Sequence, residues 1–188
     1  EANNIHALDE DGGLAFSLTT IGGIRQLISV DDEAAALIST MDGPALCYIN
    51  GNKEAWGRQV ALPQGVDAVY PASAYDFLYS DGNSLYGYAA ETHTATKLLS
   101  WMDCDLLPGN ISFVQGLADG RLMAVSQATD KKGMEQALLL LTNSGAPRPQ
   151  ITLTLATLLS VSNINDAILE FNQSQSRYRI EQVEYLEQ

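Results

Sequence analysis

Short apolar segments separated by glycine and acidic turns, and ordered alike in two places, constrain this chain more than any other feature. Residues Leu14–Asp42 lie without gaps over Tyr75–Asp103. Phe16 falls on Phe77, Ala34 on Ala95, Leu37 on Leu98, Ser39 on Ser100, and Met41 and Asp42 on Met102 and Asp103. Apolar class is kept at Leu18/Tyr79, Ile24/Leu85, Leu27/Tyr88 and Ile38/Leu99. The identities are few. The shared order of strand, glycine turn, strand, acidic turn and strand is what favours common ancestry.

Each copy reads as a meander. In the second, Tyr75–Tyr79 is a strand, Asp81, Gly82 and Asn83 a tight turn, and Ser84–Ala89 the returning strand. Glu91–Thr94 then turns the chain into Ala95–Ser100. In the first copy Ile21, Gly22 and Gly23 are expected to make the equivalent turn. Glu33–Leu37 has helical propensity, but its register with the second copy argues for strand. Leu46–Ile49 and Trp56–Leu62, joined through Asn50 and Gly51, form a further hairpin between the copies. A third, diverged unit has strands at Ile111–Leu117, Arg121–Gln127 and Glu135–Thr142, with an Asp119–Gly120 turn and a Thr129–Gly133 loop. The expectation is a mainly β fold of roughly three antiparallel meander blades, an incomplete β-propeller-like array, with a β-sandwich of the same meanders as the alternative. Asn143–Pro149, with two prolines and a glycine, reads as a linker, which places a β-repeat domain at 1–148 and a second unit at 149–188.

That second unit changes character. Ile151–Leu158 alternates like a strand, and Ile164, Ala167, Ile168 and Phe171 fall at helical spacing on one face. Tyr178–Tyr185 is a second strand candidate, so the unit reads as strand–helix–strand. Ile151–Leu158, then Ala167–Asn172 with its Phe171-Asn172 ending, then Tyr178, Arg179 and Ile180 resemble the start of bacterial extracellular solute-binding proteins, the capture lipoproteins of ABC importers. Gln175–Arg177 departs from the turn common in that family, and the remainder of both lobes is missing. The resemblance implies a truncated first unit of a binding domain, with residues 1–148 similar to the propeller-like region that precedes it in some such lipoproteins. It also implies an extracellular, lipid-anchored parent, with importer components or cell-surface proteins as partners. In the family the loop after the first strand lines the cleft, so Thr157–Ser162 would be the only portion able to touch solute.

Composition excludes some roles. With 23 acidic against 10 basic residues the formal net charge is −13, which repels phosphate backbones and anionic lipid. Nucleic-acid and membrane-surface roles are therefore not expected, and no stretch approaches the length of a membrane span, so membrane insertion is not expected either. Cys47 and Cys104 permit one disulfide without requiring it, and neither has metal-ligand spacing.

Candidate chemistry is sparse. His6 and His93 lack a carboxylate-plus-nucleophile pattern, and His93 occupies a turn whose counterpart in the first copy is Asp32. Asp9–Gly13 opens like a calcium loop but lacks the distal ligands, so an acidic turn is the better reading, as it is for Asp31–Glu33. Asn110 and Asn172 head glycosylation-type triplets, a pattern common by chance that carries no weight under the bacterial origin the resemblance implies. Tyr75, Phe77 and Tyr79 share a strand face and read as core. Trp101, just past a strand, is the candidate exposed aromatic contact. No catalytic, cofactor-binding or metal residue is assigned, no cofactor is expected, and the chain is not expected to be an enzyme. The expected role is recognition or scaffolding beside a capture domain, against a self-contained propeller-like interaction module as the rival. Unpaired strand edges predict self-association.

Overall fold

The computed structural model describes residues 3–20, 22–30, 32–130, 133–142, 151–157 and 162–184. Within them the chain is mainly β: a series of antiparallel sheets, then one strand–helix–strand unit. The first sheet is a hairpin of β1 (Asn3–Leu8) and β2 (Leu14–Thr20). The second is a four-stranded meander of β3 (Gly23–Val30), β4 (Glu33–Thr40), β5 (Gly43–Asn50) and β6 (Ala55–Ala61). The third repeats that order with β7 (Ala68–Tyr70), β8 (Phe77–Ser80), β9 (Ser84–Ala89) and β10 (Thr94–Ser100). The fourth has β11 (Ile111–Gly116), β12 (Leu122–Asp130) and β13 (Gly133–Leu141). Last, β14 (Ile151–Thr157) and β15 (Tyr178–Glu184) pair in parallel across the helix α1 (Ser162–Ser174).

Side-chain alternation explains why these sheets stack. Successive residues of a strand point to opposite faces. In β4, Ala35 and Leu37 join a core with the third sheet, while Ala36 and Ile38 join a core with Ile5 of the first hairpin. In β8, Phe77 and Tyr79 face the second sheet, while Leu78 faces Val114 and Ala124 of the fourth. A strand buried on both faces reads as a continuous apolar run, as both of these do. Directly opposed aromatics tie β8 to β9: Phe77 stacks on Tyr88 at 4.8 Å between ring centroids and Tyr79 on Tyr86 at 4.9 Å.

The first strands of the second, third and fourth sheets lie side by side, β3 beside β7 and β7 beside β11. Side chains bridge them where no backbone ladder does. The Gln26 amide donates to the Val69 carbonyl at 2.7 Å and accepts from the Val69 N–H at 2.9 Å. Arg25 Nη1 reaches the Val66 carbonyl at 2.9 Å, and the Gly116 N–H reaches the Pro71 carbonyl at 3.1 Å.

The expected meanders are present with one shift of frame. β2 pairs with β1, and β3 pairs with β4 alone in its sheet, so the block Leu14–Asp42 crosses from one sheet into the next. The stretch around Gly22 therefore connects sheets instead of turning a hairpin, and Ile21 lies outside the described residues. A Cβ on Gly22 would come within 2.4 Å of the Ser39 carbonyl oxygen, so this crossing needs glycine for close approach. The hairpin read between the copies supplies β5 and β6, completing the second sheet. Glu33–Leu37 is strand, as its register indicated. Asp32 and His93, matched in the alignment, both take left-handed backbone conformations, at φ 62° and 51°. The four-sheet series differs from a two-layer sandwich. The Asn143–Pro149 linker and the boundary at 148/149 lie outside the described residues.

Val69 is 0% exposed, so losing the Gln26 amide leaves a buried N–H and a buried C=O without their partner. Gln26→Ala is expected to lower stability by about 2–4 kcal/mol, checked by urea unfolding. A loss below about 0.5 kcal/mol would show that the bridge is not a fastening between sheets.

Candidate functional site

Between the third and fourth sheets lies a cleft of about 450 Å³. Its apolar walls come from Leu78, Leu98 and Leu99 on one side and Leu122 and Leu141 on the other. Tyr75, Cys104 and Arg121 bring polar atoms to it. The Tyr75 ring lies directly on Gly87, where an added Cβ would sit 2.6 Å from ring carbons. Tyr75 thus packs toward the fourth sheet, away from Phe77 and Tyr79, whose face it was expected to share. Arg121 spends its guanidinium on Asp119, with Nε 2.7 Å from Oδ2. That bond holds the Asp119 carboxyl below the usual carboxylate range. Burial, helped by Asp103, pushes the Cys104 thiol up, which keeps it out of the thiolate form a nucleophile needs. None of the lining residues is a histidine or carboxylate. The cleft can hold an apolar body; it has no pair poised to move a proton.

The turn that carries Cys104 has a second use. A short 3₁₀ turn at Met102–Cys104 closes when Asp105, at φ 57°, returns its N–H to the Met102 carbonyl at 3.1 Å. Arg179 of β15, 9% exposed, inserts into this turn. Its Nε lies 3.2 Å from Asp103 Oδ1, its Nη1 3.4 Å from Asp105 Oδ1, and its Nη2 donates to the Met102 carbonyl. Gln173 of α1 adds a bond to the Asp105 carbonyl at 3.4 Å. Behind it, the Asn172 amide accepts from the Ile180 N–H at 2.8 Å and donates to its carbonyl at 3.1 Å. Asn172 is 6% exposed and fully engaged, which disposes of it as a glycan acceptor. A guanidinium fork suits this divided acceptor set better than a point charge would.

The residues singled out beforehand fare differently. Trp101 is not an exposed contact: it is 1% exposed and sits in the core between the third and fourth sheets. Its backbone N–H donates to the Asn83 carbonyl at 3.0 Å, and the following 3₁₀ turn folds the chain back so that the Leu106 backbone N–H donates to the Trp101 carbonyl at 3.0 Å. The ring is thereby drawn beneath the sheet end. His6 Nδ1 lies 2.8 Å from Ser17 Oγ across the first hairpin, and His93 Nδ1 3.3 Å from the Tyr88 hydroxyl. Asp9 Oδ1 accepts the N–H groups of Asp11 and Gly13, so this acidic stretch is a self-capped turn. Among the described residues no group of three or more His, Cys, Asp or Glu is placed to hold a metal. Cys47 and Cys104 are free thiols belonging to different interfaces. Arg179 was not singled out beforehand. It is the one basic residue of a strand that also carries Glu181, Gln182 and Glu184, so it gave little signal, and its partners lie far away in sequence. The Thr157–Ser162 loop falls largely on residues outside those described. No protein-family model and no curated protein matches the chain.

Arg179→Ala is expected to leave Asp103 and Asp105 without their shared cation and to cost about 1–3 kcal/mol. The readout is hydrogen exchange, which should rise in 178–184 ahead of β4 and β8; Arg179→Lys should rescue little. Unchanged exchange would show that the clamp does not hold the unit. Tyr70 offers a pH test. Burial, then the nearby Asp67, pushes its phenol up to about 12 from an ordinary 10.0. The folded value lies above the unfolded one, so its contribution is complete below pH 10 and lost as pH rises through 12. Ultraviolet titration should show one tyrosine ionising last, and Tyr70→Phe should remove that step.

Proposed function

We propose that this chain is a non-enzymatic, extracytoplasmic recognition and scaffold region of a solute-binding lipoprotein of an ABC importer. On this reading the sheet series is an arc of propeller-like blades, and β14–α1–β15 opens the first lobe of the capture domain. The observation that carries it is the parallel pairing of β14 and β15 around a helix, where the other ladders among the described residues are antiparallel. Such a crossover is the building unit of α/β lobes, which need further strands and helices to cover it. Ile151, Leu153 and Leu155 along β14 are 51%, 45% and 37% exposed, an apolar stripe that α1 leaves open. Importer components or cell-surface proteins are the partners of such a region. Among the described residues no helix is long and apolar enough to cross a membrane.

The rival reading, a self-contained interaction module with the strand–helix–strand as a decoration, draws support from the Arg179 clamp, which docks that unit on the sheets. Gene structure separates the two. Under the importer reading the reading frame continues beyond Gln188 into the rest of two lobes beside permease genes; a stop codon there overturns it. Sugars and short peptides are expected to leave the melting temperature of this chain unmoved, since β14, α1 and β15 by themselves enclose no cleft between two lobes. A saturable rise would contradict that.

A further inference from the structure

The two ends of the sheet series are finished differently. The outer face of the β1–β2 hairpin is polar along most of its length, where Thr19 Oγ1 donates to Asn4 Oδ1 at 2.8 Å and His6 meets Ser17 at 2.8 Å, and its exposed apolar pair, Leu8 and Leu14, is confined to the turn end. A stacked array needs such a polar end to face water. The outer face of the β11–β13 sheet is mainly apolar over two rows, with the Gln127–Gln136 pair beyond them. Registered pairing places Phe113, Val125 and Leu138 in one row across the three strands and Gln115, Met123 and Leu140 in the next. Phe113 is 39% exposed, Leu138 71%, Leu140 53% and Met134 68%. By strand alternation Glu135 points to the other face, so these rows carry no ionisable side chain although the chain bears a net charge of −13.

We infer that this face is the contact of an isologous dimer, meeting the same face of a second copy. It continues the series: aliphatic and aromatic sheet faces already meet at the three cores within the chain, and this is the next face in line. An acidic or basic partner would find no counter-charge on it. A second copy apposes no carboxylate there, and the rows are self-complementary under two-fold symmetry. Three strands of up to nine residues make a face of roughly 14 by 30 Å, so the dimer buries on the order of 900 Å² in total and is reversible. The contact does not depend on the importer reading.

Sedimentation of the chain at increasing concentration is expected to show a monomer–dimer equilibrium that strengthens with salt, because screening relieves repulsion between acidic copies while the contact is apolar. The variant Leu138→Glu/Leu140→Glu, both sites being exposed, should keep the wild-type circular dichroism and shift the midpoint at least about tenfold toward monomer. A wild-type chain that stays monomeric up to about 1 mM overturns the proposal. So does a dimer that persists in the double variant, or growth into longer oligomers, either of which would point to pairing at the β13 edge.

Discussion

A sheet that is apolar on both faces cannot stand in water, and the second and third sheets are of that kind. Leu37 and Ile38 point in opposite directions from adjacent positions of β4, and both are buried. The same holds for Phe77 and Leu78 in β8. Each such sheet demands a neighbour on either side, which forces the serial arrangement. The stacking then brings β3, β7 and β11 close without a shared ladder, so backbone groups there must find other partners. Gln26, Arg25 and the Gly116 amide meet that need.

Much of this was legible. Gly82 and His93 bound β9 as turn residues, Glu33–Leu37 extends because its register outweighs its propensity, and the helix stripe ending at Phe171 is where it was expected. What misled was the frame. A gapless match of Leu14–Asp42 to Tyr75–Asp103 compares a strand of one sheet with a strand of another, because alternation looks alike in every antiparallel strand and pairing partners leave little local trace. Trp101 misled for a related reason: its position after a strand says nothing of the 3₁₀ turn that buries it. Arg179 was invisible because its acceptors, Asp103 and Asp105, belong to a distant turn.

The segment from Trp101 to Leu106 joins these themes. Trp101 anchors it in the core, Cys104 faces the cleft, and the residues on either side of Cys104 hold Arg179. The strand–helix–strand unit is thus fastened to the same few residues that form part of the cleft wall. The junction is made by charge and a backbone carbonyl.

Because the first four sheets follow one another in line, each packs on the next, and cohesion propagates along one dimension as in a row of stacked plates. Damage inside one plate is felt next door and fades beyond. The hairpin at the start has a single neighbour and should be the first to fray, while the stacked rings of Phe77, Tyr88, Tyr79 and Tyr86, set in the interior of the row, should be the last to part. Such a molecule loosens from its ends inward, keeping an ordered middle when its margins have opened.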